Sequence, residues 1–211
     1  MRKGLFITLE GSDGSGKSTQ LKRIESFLKE KGFNTVVTRE PGGTIISEKI
    51  RELVLDKNHS EMDGKTEALL YAAARAQHVA EIIKPALERG DIVICDRFID
   101  SSIVYQGYGR KLGEQVDMIN QFAISGHMPD ITFLFKINPE MGKSRIKTRN
   151  RDRLECEQME FYREVFKGYI ELEKRYPDRI IGIDASRSIR EIHAEIRERL
   201  EVFLLREKYD V

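Results

Sequence analysis

Leu5-Phe6-Ile7-Thr8-Leu9-Glu10-Gly11-Ser12-Asp13-Gly14-Ser15-Gly16-Lys17-Ser18 is the stretch that decides the fold. It opens as a short apolar, β-rich run and continues as G-x-x-x-x-G-K-[ST], a phosphate-binding loop between a strand and a helix. The glycines let the backbone curl so that successive N–H groups point at phosphate oxygens. The helix that follows adds the partial positive charge of its N-terminus. Gly11, Ser12, Asp13, Gly14, Ser15 and Gly16 are therefore expected to cradle phosphates. Lys17 supplies a mobile cation for the β- and γ-phosphates, and the Ser18 hydroxyl, with Thr19 beside it, is placed for Mg²⁺ and phosphate.

Outward from this loop, short β-type runs alternate with longer helical patterns. Leu5–Glu10, Thr35–Thr38, Ile92–Cys95, Ile131–Ile137 and Ile180–Ile183 are apolar on both faces, as strands of a parallel sheet covered on both sides must be. Helical segments are predicted near 17–31, 44–55, 66–89, 114–126, 139–148 and 157–175. In a last helix Ile189, Ile192, Ile196, Leu200, Phe203 and Leu204 recur at helical spacing. Ser188 and Glu191 form a capping box at its start. The alternation predicts an α/β fold, a doubly wound, five-stranded parallel sheet flanked by helices. No repeat, low-complexity tract or linker divides the 211 residues, which read as one domain.

Composition excludes several classes. Hydrophobic residues make up 40% and charged residues 34%, the balance of a globular protein, and the formal net charge of +1 gives no general polyanion signal. No nucleic-acid partner is expected. The basic, apolar N-terminus is cut off as a signal peptide by Glu10 and the glycine loop, and no run approaches the length of a membrane helix. A cytoplasmic protein is expected. Cys95 ends an apolar run while Cys156 sits among charges, so a disulfide is not expected. His59, His78, His127 and His193 are too scattered for a zinc site.

Two further features carry chemistry. Asp96 closes the strand DIVICD and is followed at once by Arg97, at the carboxyl end where open α/β sheets bind ligands; a surface ion pair is the plainer reading. Asp96 fits an acidic residue assisting a Mg²⁺ site. The segment 145–155 reads RIKTRNRDRLE, with Arg145, Arg149, Arg151 and Arg153 among its alternating cations. It is either a solvated helix end or a phosphate-recognising loop.

Joined to Thr38-Arg39-Glu40-Pro41-Gly42-Gly43-Thr44, to Leu69-Leu70-Tyr71-Ala72-Ala73-Ala74-Arg75 and to Ser101-Ser102 through Tyr105-Gln106-Gly107, these motifs resemble the thymidylate kinase family over essentially the whole chain. The resemblance implies the P-loop nucleoside monophosphate kinase fold, an Arg-rich lid about 145–155, and Mg²⁺-dependent transfer of the ATP γ-phosphate to dTMP, a step toward dTTP. It implies Arg39 and Arg97 as clamps on the acceptor phosphate and Asp13 near the acceptor sugar; read alone, Asp13 serves equally as a turn residue. It implies Tyr71 stacked on thymine, Arg75 bonded to the base, Tyr105 crowding the ribose 2′ position, and Ser102 and Gln106 near the base. The P-loop lacks an arginine, so the sequence is similar to the bacterial type in which the lid supplies it. Arg149, Arg151 and Arg153 are then candidates for the transferring phosphoryl, and Arg145 for the adenine side. The family further implies a homodimer, with the 66–89 helix contributing.

Two other functions share the P-loop: a broader nucleoside monophosphate kinase, which needs no Tyr71–Arg75–Tyr105 set, and a switch or assembly ATPase. A GTPase is disfavoured by the lack of a guanine-reading N-K-x-D.

Overall fold

A computed structural model describes residues 4–145 and 152–207. The strands β1 (Leu5–Glu10), β2 (Thr35–Arg39), β3 (Ile92–Asp96), β4 (Ile131–Lys136) and β5 (Ile180–Asp184) form one sheet in the order β2-β3-β1-β4-β5. Every pairing is parallel. The predicted α/β architecture holds.

Side-chain alternation along β1 explains both layers. Leu5, Ile7 and Leu9 face a core shared with α1 (Lys17–Glu30) and α9 (Ile189–Arg206), where Ile24, Leu28, Ile196, Leu200 and Leu204 meet Phe133 and Phe135. Burying each such side chain contributes about 1.5–3 kcal/mol. The opposite face carries Phe6, packed with Val93, Cys95 and Phe98, then Thr8, whose hydroxyl pairs with Thr132 at 2.8 Å. Glu10 is last on that face, at the carboxyl end of the central strand.

Strand register sets the site. Arg39 and Leu9 lie opposite Asp96 on either side of β3, so the ends of three strands arrive level. The connections leaving β1 and β4 run in opposite directions along the sheet, which opens a crevice above those ends.

The capping box at Ser188 forms as expected, with Glu191 N–H donating to Ser188 Oγ and Ser188 N–H to the Glu191 carboxylate. The 66–89 helix does not run unbroken. It starts at Gly64, capped by Asp63, as α3 (Gly64–His78), passes through a π-helical stretch (Val79–Ile83), and resumes as α4 (Lys84–Glu88). Pro85 lacks the N–H that the ladder needs at that turn, so the bonds upstream widen. Sequence periodicity assigned no element after Arg97, yet α5 (Ile99–Ser102) and a second π-helical stretch (Ile103–Gly109) stand there. Gly107, Gly109 and the β-branched Ile103 and Val104 hide its helical character. The remaining helices are α2 (Ile45–Leu55), α6 (Gln115–Ile124), α7 (Pro139–Arg145) and α8 (Met159–Arg175). Cys95 and Cys156 are both free.

Candidate active site

The loop after β1 curls through three left-handed glycines: Gly11 (φ 133°), Gly14 (φ 78°) and Gly16 (φ 91°). A side chain on Gly11 would meet the Phe135 carbonyl at 2.5 Å, and one on Gly14 the carbonyl of Gly142. The loop is thus pressed onto β4 and α7, which only glycine permits. Lys17, the first residue of α1, folds back over it and donates to the carbonyls of Gly11 (2.9 Å) and Ser12 (3.1 Å). Ser18 and Thr19 are exposed at the mouth of the loop. Two buried oxygens here lack a protein partner: Ser15 Oγ and Asp96 Oδ1.

Arg97 follows β3 in a left-handed conformation (φ 70°), rare for a side chain with a Cβ and suggestive of a functional constraint. That turn swings its guanidinium back over the loop. Nη2 donates to Asp13 Oδ1 at 2.7 Å, Nη1 to Ser101 Oγ at 3.1 Å, and the group lies 5.2 Å from the centre of the Tyr105 ring.

α3 presents Tyr71 and Arg75 on one face, as their spacing predicts, and both line the same cavity as Arg97. Arg75 is immobile. Nε donates to Glu40 (2.7 Å), Nη1 to Ser102 Oγ (2.9 Å) and to Asn120 Oδ1, and Nη2 to the Phe98 carbonyl (2.9 Å). With Nη2 also 2.6 Å from Glu40 Oε2, every nitrogen of the guanidinium faces a protein acceptor. Gln106 donates through Nε2 to Glu67 (2.9 Å), while its Oε1 and the Tyr105 hydroxyl are buried without partners. Arg39, at the end of β2, faces both carboxylate oxygens of Glu48 at 3.0 Å.

The resulting cavity holds about 440 Å³. Asp13, Lys17, Ser18, Thr19, Arg39, Tyr71, Arg75, Asp96, Arg97, Ser102, Tyr105, Gln106 and Arg145 all line it. Arg145 is held beside the end of β5 by the Ala185 carbonyl (3.1 Å). Arg153 does not line it. Its Nη2 donates to Glu67 (2.6 Å) and its Nε to the Val54 carbonyl (2.9 Å). Arg149 and Arg151 lie outside the described residues.

A family model described as thymidylate kinase matches residues 9–196. The chain belongs to the thymidylate kinase family. It is 52% identical over 196 residues to the thymidylate kinase of Geobacillus sp. (strain WCH70), covering 91% of this chain and 93% of that one. It is 49% identical over 210 residues to the thymidylate kinase of Halalkalibacterium halodurans, covering 96% and 100%. A crystal structure of thymidylate kinase from Ehrlichia chaffeensis is similar with a TM-score of 0.76 and 37% identity, covering 94% of this chain and 99% of that one. The chain is accordingly a kinase of this family.

Charges in this family member's site are strongly mutual. Burial lowers the Lys17 ammonium to about 8, with Arg97 adding to the effect and Asp13 opposing it. Burial would raise Asp13, but Arg97 and then Lys17 outweigh it and hold the carboxyl at about 2. Burial raises the Tyr105 phenol well above its ordinary value, which keeps the ring neutral beside Arg97.

Arg51 and Glu10 are among the site residues that the sequence patterns did not single out. Arg51 lines the cavity and donates to the Pro41 carbonyl at 2.8 Å. The signal was its position four residues after the buried Ser47 on α2, which puts it on the inward face. Glu10 is fully buried beneath Arg97. It accepts from Phe98 N–H (2.8 Å), Ser101 N–H (3.2 Å), Ser101 Oγ (2.6 Å) and Tyr169 OH (2.9 Å). Burial, helped by Asp100, raises its carboxyl to about 7. An acidic residue ending an otherwise apolar strand was the available signal.

Proposed function

We propose that the chain transfers the γ-phosphoryl group of ATP to dTMP, giving dTDP and ADP, as one P-loop kinase domain over residues 1–211 with an Arg-rich lid about 145–155. The observation that carries the reading is the meeting of Lys17, Asp13 and Arg97 with Tyr71, Arg75 and Tyr105 on one cavity. The phosphate loop and an aromatic wall therefore share one cavity.

In the reaction an oxygen of the acceptor phosphate attacks the γ-phosphorus while the bond to the ADP oxygen breaks, so the protein's work is positioning and charge neutralisation. Lys17 exchanges the Gly11 and Ser12 carbonyls for β- and γ-phosphate oxygens, with Ser12, Ser15 and the loop backbone as donors. Arg97, Arg39 and Arg51 converge on the acceptor phosphate; the Glu48 carboxylate, both of whose oxygens face Nη2 of Arg39, gives way to phosphate oxygens there. Asp13 orients Arg97 and lies toward the acceptor sugar. Tyr71 offers its ring face to thymine, Tyr105 fills the space a 2′-hydroxyl would need, and Ser102 and Gln106 flank the base. Arg75 forms the fixed wall against which the base edge sits. Arg149 and Arg151 are proposed for the transferring phosphoryl and Arg145 for the adenine side, with Arg153 as an anchor.

Mg²⁺ fits this residue set. Asp96 Oδ1 is buried without a partner, and the exposed Ser18 lines the same cavity. No group of three or more His, Cys, Asp or Glu among the described residues forms a cage, which suits an ion held mostly by phosphates and water. Such an ion would supply charge neutralisation at the bridging phosphate oxygens.

A homodimer is part of the proposal. Leu69 on α3 and Met118 and Phe122 on α6 are 57%, 66% and 86% exposed, on helices that pack side by side. No helix among the described residues is long and apolar enough to cross a membrane, and action on free nucleotides supports a cytoplasmic setting. Incubating the protein with ATP, Mg²⁺ and dTMP and separating the nucleotides tests the reading: dTDP and ADP should appear in equal amounts, and ADP without dTDP would refute it.

A further inference from the structure

Glu67, in the first turn of α3, is completely buried yet draws three donor residues from two distant segments. It accepts from Gln106 Nε2 (2.9 Å), Arg110 Nη2 (3.0 Å) and Arg153 Nη2 (2.6 Å). Arg153 is itself 8% exposed and is tied to the end of α2 twice, through Nε to the Val54 carbonyl (2.9 Å) and through its backbone N–H to the Leu55 carbonyl (3.0 Å). Arg110 reaches on to Glu157 at 2.5 Å and lies 4.9 Å from the centre of the Phe161 ring. The stretch 152–157 is therefore fastened to α2, to α3 and to the π-helical stretch that carries Tyr105.

What that fastening holds is part of the site. The residues on either side of Arg153, Asp152 and Leu154, line the cavity while Arg153 points away from it. Glu67 also lies one turn before Tyr71 and two turns before Arg75. Holding a charge in the interior is no efficient way to stabilise a helix, since apolar residues of similar volume do as well or better. The network instead fixes geometry between segments distant in sequence.

We propose that Glu67 is a positioning residue for phosphoryl transfer. Through Arg153 it sets Asp152 and Leu154 in the cavity wall, and through Nε2 of Gln106 it aims the unpartnered Oε1 of that amide at the acceptor. The wall beside the donor loop and the pocket for the acceptor are built from one carboxylate. The inference rests on the acceptor site proposed above.

The test is steady-state kinetics with ATP and dTMP on Glu67→Gln, Arg153→Met and Arg153→Lys, alongside ATP hydrolysis without acceptor and circular dichroism to establish folding. Glu67→Gln risks misfolding because it takes from the buried Arg153 its carboxylate partner, while Arg110 keeps Glu157. Arg153→Met avoids that risk, since Glu67 keeps Arg110 and Gln106. With the wall loosened, KM for dTMP should rise roughly tenfold and the ratio of hydrolysis to transfer by about fivefold or more, because water is less well excluded. Arg153→Lys keeps a cation for Glu67 and should stay within about threefold of wild type on both readouts. Unchanged KM and ratio in folded Arg153→Met would overturn the proposal. So would a loss in Arg153→Lys confined to kcat, which would place Arg153 on the reacting phosphoryl. Both results leave the wild-type activity on dTMP standing, whereas a wild type inert toward dTMP removes the parent reading and this inference together.

Discussion

Asp13 Oδ1 and Arg97 Nη2 face each other at 2.7 Å, joining the phosphate loop to the residue after β3 across the floor of the cavity. Asp13 is thereby both a loop residue and the counter-charge of Arg97, the clamp proposed for the acceptor. Asp13→Asn separates the two roles, because Asn serves a turn as well as Asp does. We predict that kcat/KM for the acceptor falls at least about tenfold in Asp13→Asn while ATP affinity changes little, since a partly buried charge-assisted bond is lost. Wild-type kinetics would return Asp13 to the status of a turn residue.

Lys17 gives a proton-linked prediction. Its pKa in the free protein lies at about 8, and phosphate oxygens beside the ammonium must raise it. ATP binding above pH 8 should therefore take up a proton, and affinity should fall as pH rises through about 8. Calorimetry in buffers of different ionisation enthalpy reads the uptake directly; proton release on binding contradicts the assignment. Lys17→Ala should leave the fold intact and remove most of kcat.

Glu10 makes stability depend on pH in a stated direction. Its carboxyl sits at about 7 in the fold, against an ordinary 4.5. The fold therefore favours the protonated form. This contribution is complete below 4.5 and is lost as pH rises through about 7. Glu10→Gln mimics the protonated acid, so its stability relative to wild type should improve across that window, by at most about 3 kcal/mol. Denaturant melts of both proteins at several pH values measure this, and a pH-independent difference would show that Glu10 is ordinary.

Arg149 and Arg151 should separate from Arg145 in kinetics. Loss of a cation that meets the transferring phosphoryl lowers kcat much more than it weakens acceptor binding, by roughly a hundredfold or more. Loss of Arg145 should raise KM for ATP instead. If Arg149→Ala and Arg151→Ala both keep wild-type kcat, the run is a solvated face.

The sequence made the sheet and the phosphate loop plain because each rests on a local signal: doubly apolar strands, and glycines at fixed spacing before a lysine. Tyr71 and Arg75 were marked by the family resemblance; their four-residue spacing told only that they share a helix face. What escaped depends on contacts between distant segments. Arg75 was expected to bond the base, yet most of its donors belong to Glu40, Ser102, Asn120 and Phe98, which no local pattern announces. The alternating arginines of 145–155 looked alike in sequence; Arg153 parts from them only because Glu67, 86 residues earlier, is buried beneath it. The π-helical turn bearing Tyr105 was concealed by its glycines.

The central claim is that this cavity selects thymidylate. The most direct measurement is kcat/KM for a panel of acceptors, dTMP, dUMP, AMP, GMP and CMP, at saturating ATP and Mg²⁺. Tyr71, Arg75 and Tyr105 predict dTMP first and dUMP second, separated by roughly tenfold, the scale of one methyl group in an apolar pocket. Purine monophosphates should be rejected more strongly, since a larger base collides with the Tyr71 ring and with the wall that Arg75 forms, which its bonds to Glu40, Ser102, Asn120 and Phe98 hold in place. Phosphorylation of AMP, GMP or CMP as efficient as that of dTMP would contradict the account, leaving a P-loop kinase whose acceptor pocket has been misread.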